Sequence, residues 1–125
     1  MVYLALAIAA CIPVQYDDEN DLRRRLSSAA ESGDWKAVFE AASELINDRT
    51  HRGEGLDRGR ATYYYYRAHA SAQLASKESE ACARRVHNRG AQADLGVVIE
   101  NSAAYADAYA LRAQVRVQMS LWAEA

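Results

Sequence analysis

"ATYYYYRAHASAQLA", residues 61–75, is the stretch whose reading decides the fold. It sets Tyr63, Tyr64, Tyr65 and Tyr66 in a row at the head of an alanine-rich run. On an α-helix successive side chains stand about 100° apart, so four consecutive rings point in four directions and cannot all serve one buried face. The segment therefore reads as a helix sandwiched between neighbours, with one aromatic left facing a groove.

Outward from this helix the apolar residues keep helical spacing. Upstream, Leu22, Leu26, Ala29 and Ala30 fall at i, i+4, i+7 and i+8, and "SGD" at 32–34 interrupts them, with Gly33 as a helix stop and Asp34 as a ready N-cap. Trp35, Val38, Phe39, Ala42, Leu45 and Ile46 then form one continuous stripe. Two helices joined by so short a connection fold as an antiparallel hairpin. "NDRTHRGEGLDRG", 47–59, is a polar loop with Asp57 as N-cap of the tyrosine helix, which runs to about Ser76. Downstream, residues 77–90 are weakly patterned and expected to be helical in part, with a break near Gly90. Residues 91–101 read as a helix with Leu95, Val98 and Ile99 inward, and 104–119 as another with Ala108, Leu111, Val115 and Met119 on one stripe. "SLWAEA", 120–125, is expected to open a sixth helix. No strand pattern competes, so the expected fold is all-α: five helices and a sixth stub over residues 17–125, following an apolar segment at 1–16.

The bulk numbers agree with a thin helical domain. The chain has 125 residues, one proline (Pro13) and six glycines, and much of its 50% hydrophobic content is alanine. That length buries a modest core without staples, and alanine lets helix backbones approach closely. A net charge of −2 with both signs interspersed argues against nucleic acid as a partner. The run Arg23, Arg24, Arg25 lies between Leu22 and Leu26 and reads as a solvated helix face. Cys11 and Cys82 make no CxxC pair and no disulfide framework.

The N-terminal "MVYLALAIAACIPV" is too short to span a bilayer as a simple helix. It resembles the hydrophobic region of an export signal, and "IAAC" at 8–11 resembles a bacterial lipoprotein lipobox, which implies lipidation at Cys11 and a membrane contact through that anchor alone. No Lys or Arg precedes the run. Two readings stand: export to a periplasmic or lipid-anchored location, or a terminal apolar helix on a cytoplasmic protein.

A repeat organises the rest. "ADLGVVIENSAAYADAYALRAQVRVQMSLWAEA", 93–125, resembles the tetratricopeptide repeat, crossing from the second helix of one repeat into the first helix of the next. "TYYYYRAHA" resembles the same first-helix pattern, with Tyr64, Arg67 and Ala68 matching Tyr109, Arg112 and Ala113. "SGDWKAVFEAASELI" resembles the turn and second helix, with Trp35 matching Trp122. Arg67 and Arg112 are 45 residues apart, 11 beyond the family's usual 34; a helix lengthened by about three turns absorbs the difference and keeps its face nearly in phase. Leu26 occupies a slot where the family prefers a small residue, and Ala103 stands where it ends a helix with proline.

The resemblance implies a right-handed α-α superhelix of two and a half hairpins with a concave groove. It implies that Tyr64 is buried within its hairpin, that Tyr63 and Tyr66 face neighbouring helices or the rim, and that Tyr65 points into the groove. The groove set it implies is Thr62, Tyr65, His69 and Ala72 with Ala110, Gln114 and Val117. The family's carboxylate clamp is not matched, since its slots carry Tyr66, Asp107 and Leu111. A nearly uncharged groove suits a peptide or protein segment held by apolar and polar contacts. At the C-terminal end Val115, Met119, Leu121 and Trp122 form an open apolar end that is expected to be covered by self-association, by a partner chain, or by the further helices of a longer array.

Signals for chemistry are negative. "GEGLDRG", 53–59, spaces its glycines one residue too far for a phosphate loop. Cys82 and His87, five apart, stand about 140° apart on a helix and cannot chelate one ion. His51, His69 and His87 have no ligand partner at useful spacing, and no nucleophile elbow or zinc motif occurs. The expected function is a non-catalytic interaction scaffold without metal or cofactor; the alternative is an assembly module that pairs through its open C-terminal end.

Overall fold

The structure, a computed structural model, describes residues 19–47, 58–102 and 105–124; the side chains of 58, 59 and 121–124 lie outside the description. The apolar N-terminal segment with Cys11, the N-cap at Asp57, Ala103, and the side chains of Leu121 and Trp122 all fall outside the described residues. The described chain is all-helical: α1 (Glu19–Ser32), α2 (Trp35–Ile46), α3 (Arg58–Lys77), α4 (Ala81–Asn101) and α5 (Ala106–Glu124).

The α1–α2 corner is built by two residues. Gly33 has φ +73°, the left-handed conformation that a side chain disfavours. Its N–H donates to the Ala30 carbonyl at 3.3 Å and the Asp34 N–H to the Ala29 carbonyl at 3.0 Å, the paired bonds of a Schellman stop. Asp34 then caps the next helix, its carboxylate accepting from the Ala37 N–H at 3.2 Å. One dipeptide ends α1 and starts α2, so the two helices must fold back on each other.

Each helix packs on its neighbour in sequence, and α3 also touches α5. Two apolar clusters result. Leu22, Leu26, Val38, Ala42 and Leu45 fill the first between α1 and α2 and extend to Tyr63 and Ala70 of α3. Leu95, Val98, Leu111 and Val115 anchor the second, where Ala68 and Ala72 of α3 meet α4 and α5. α3 thus lies between the clusters, which explains tyrosines around its whole circumference. Tyr63 and Tyr66 turn to the first cluster, Tyr64 and Tyr65 to the second.

Three expectations change. Tyr63, 5% exposed, is the buried ring of the four, while Tyr64 is only half-buried. The reason is polar: the Arg23 Nε donates to the Tyr63 hydroxyl at 2.6 Å, the hydroxyl donates to Glu19 Oε1 at 3.1 Å, and Arg23 also donates to Glu19 at 2.7 Å. A hydroxyl with both partners supplied is cheap to bury. Second, α4 runs unbroken through Gly90, and the chain turns instead at residues 78–80. Arg84 Nη1 donates there to the Glu78 and Ser79 carbonyls at 3.2 and 2.9 Å. The extra length is taken up as helix, with α3 and α4 spanning 20 and 21 residues against 14 and 12 for α1 and α2. Third, α5 continues through Ser120, so residues 120–124 extend it and form no separate stub. Neither glycine nor proline interrupts it.

Candidate functional site

α3 carries the residues that matter on two of its sides. On the side facing α4, Arg67 grips Asp94 as a fork, Nε to Oδ2 at 2.8 Å and Nη2 to Oδ1 at 2.7 Å. Its guanidinium also lies 5.6 Å from the Tyr64 ring centroid, and Nη1 reaches Ser43 Oγ of α2 at 3.5 Å. This pair ties three helices together. The Asp94 hydrogen bond is the main cause that raises the Arg67 pKa above its ordinary value, against the opposing effect of burial.

The other side, turned toward the start of α5, carries a ladder of rings. Trp35 at the head of α2 lies 4.8 Å from His69, centroid to centroid; His69 is 6.1 Å from Tyr65, and Tyr65 is 5.1 Å from Tyr105 and 5.9 Å from Tyr66. Tyr65 and His69 stand one turn apart on α3 and bring together rings from either side of it. All five are half-buried. Burial lowers the His69 pKa and raises that of Tyr65; the negative charge of Asp107 adds to the Tyr65 shift. A neutral imidazole among aromatic rings is an apolar and weakly polar surface.

Among the expected groove residues, Thr62, Tyr65 and His69 are half-buried on α3, and Ala110, Gln114 and Val117 are exposed on α5. Asp107, Ala110, Gln114 and Val117 recur at i, i+3, i+7 and i+10, one face of α5. The negative charge of Asp107 contributes to the raised Tyr65 pKa, after burial. Ala72 differs: at 5% exposed it belongs to the second cluster, because one turn after Ala68 it faces α4 and α5. Val115, fully buried in the same cluster, is core and no part of an open end, and Met119 packs against that cluster half-buried.

Trp35 and Tyr105 complete the ladder, and sequence reasoning did not place them in the site. Trp35 lies 34 positions before His69, and no local pattern announces such a pairing. Tyr105 stands just before α5, whereas the sequence reading placed it inside the helix expected at 104–119.

The remaining surface offers less. A concavity of about 530 Å³ between α1 and α2 is lined by Arg24, Arg25, Glu40 and Glu44 among others, with charges that offset each other. Cys82 is exposed, and among the described residues no three His, Cys, Asp or Glu side chains converge. No described helix is long and apolar enough to cross a membrane. No protein-family model matches the chain, and neither a curated protein nor a solved structure matches it.

Proposed function

We propose that the chain is a non-catalytic binding module, a short array of tetratricopeptide-like hairpins that holds a peptide or protein segment in the groove between α3 and the outer face of α5. The observation that carries this reading is the ring ladder Trp35, His69, Tyr65 and Tyr105, a half-buried aromatic platform. Aromatic rings of this kind dominate protein recognition because they bury much area at low entropic cost. Consecutive packing of neighbours, with α3 also reaching α5, supports a stack of helix hairpins. An export signal removed just before Cys11 belongs to the same proposal, and mass measurement of the N-terminus of the fractionated protein tests it.

The groove is tested by replacing Tyr65 and Gln114 together with alanine and measuring recovery of copurifying proteins by mass spectrometry. Loss of a specific partner supports the groove; unchanged recovery rejects it. A second reading, assembly through the C-terminal helix, draws on the exposure of Tyr109 and Val117 of α5, 40% and 58%. In that case Tyr109→Glu changes the mass measured by light scattering while the alanine pair does not.

A further inference from the structure

α5 repeats α3 at the 45-residue offset that separates Arg112 from Arg67. On one side the two helices behave alike. Tyr63 and Ala70 of α3 are buried in the first cluster, and their counterparts Ala108 and Val115 of α5 are buried in the second. On the side where α3 receives α4 the likeness ends: Ala68 is fully buried and Ala72 is 5% exposed, whereas Ala113 is exposed and Val117 is 58% exposed. All four are apolar, so the difference lies in the neighbour. Among the described helices α5 touches α4 and α3 alone, and neither covers Ala113.

The joint between α3 and α4 has three parts. Arg67 lies 5.6 Å from the centroid of Tyr64, three residues before it, and donates both prongs of its fork to Asp94. Leu95 and Val98, one and four positions after Asp94, pack in one cluster with Ala68 and Ala72. α5 rebuilds the first part. Arg112 lies 5.3 Å from the centroid of Tyr109, again three residues before it. The Tyr109 ring is 40% exposed, and among the described residues no carboxylate pairs with Arg112. Asp107, five residues before Arg112, stands about 140° around the helix from it. A second copy of the chain is a poor cover for this face. A two-fold contact sets Arg112 and the exposed Arg116, one turn on, against the same two arginines, and like charges so placed repel.

We propose that the uncovered face of α5 receives a helix from a partner chain, which sets a carboxylate on the Arg112 fork and aliphatic residues one and four positions later against Ala113 and Val117. The proposal rests on the second reading above, assembly through the C-terminal helix, and names its partner. Alanine-rich helical peptides of 21 residues, the length of α4, are randomised along one face, displayed on phage and selected against the immobilised full chain. Synthetic copies of those recovered are titrated by fluorescence anisotropy. The expected result is Asp or Glu at a fixed position followed by aliphatic residues. Changing that acid to its amide weakens binding about fivefold or more, the upper end for an accessible ion pair. Arg112→Gln weakens the acidic peptide by a similar factor and leaves the amide peptide unchanged. Peptides that lose affinity with Ala113→Gln but show no acid preference and ignore Arg112→Gln overturn the carboxylate and leave the face. Peptides indifferent to Ala113→Gln, or a selection that recovers none, overturn both. A mass above the monomer in light scattering that Ala113→Gln lowers overturns the partner helix in favour of a second copy. Far-UV circular dichroism of each variant confirms that the helices are intact.

Discussion

Removing Asp94 is expected to cost the protein a large part of its stability. The carboxylate accepts both prongs of Arg67, at 2.8 and 2.7 Å, and the two side chains are only 8% and 23% exposed. Asp94→Ala leaves the guanidinium largely buried without its counter-charge, which costs about 3–5 kcal/mol. Small domains have about 5–15 kcal/mol in total. An unfolding entropy of about 2.1 cal/mol/K per residue makes each kcal/mol worth about 4 °C in a chain of this length, so Tm should fall by about 12 °C or more. Urea and thermal melts followed by circular dichroism measure the loss. The control is a cycle of Asp94→Leu, Arg67→Met and the two together. Apolar replacement of both partners removes the desolvation cost together with the attraction, so the double variant should recover most of what either single change loses. A single-variant cost below about 0.5 kcal/mol, or a double variant whose loss is the sum of the singles, refutes the reasoning.

The same substitution should act oppositely at two glycines. Gly33→Ala forces a side chain into φ +73° and should cost about 1–2 kcal/mol, whereas Gly90→Ala, mid-helix with nothing within 4 Å of the added carbon, should gain about 1 kcal/mol; chemical denaturation checks both. Asn88 is fully buried and neither amide atom has a partner, so Asn88→Leu, equal in heavy atoms, should raise stability by about 1–3 kcal/mol in the same assay. His69 has its pKa lowered by burial, so below about pH 6.5 the unfolded chain takes up a proton that the folded chain refuses. Stability should therefore be fully present above that pH and fall as pH drops toward the folded value. His69→Gln should flatten that part of the pH profile in thermal melts.

The helices and the α1–α2 corner were legible because their causes are local. Gly33 and Asp34 act through hydrogen bonds spanning no more than five residues. The stripe Trp35, Val38, Ala42 and Leu45 announces its face by spacing alone. Ala72 and Val115 were misplaced for a related reason: spacing identifies a face but not what lies opposite. Gly90 misled because a glycine inside a helix costs only about 1 kcal/mol relative to alanine, less than the packing of Ala91, Leu95 and Val98 beyond it returns.

By itself the sequence determined that this chain is helical, where its first hairpin turns, and that the tyrosine helix needs neighbours on several sides. Only the tertiary structure decided which ring is buried, that Arg67 closes on Asp94, and that Trp35, His69, Tyr65 and Tyr105 form one platform. The physical reason is range. Helix bonds and caps join residues a few positions apart, whereas these contacts join residues 27 to 44 positions apart or meet across elements whose approach depends on every helix packed before them.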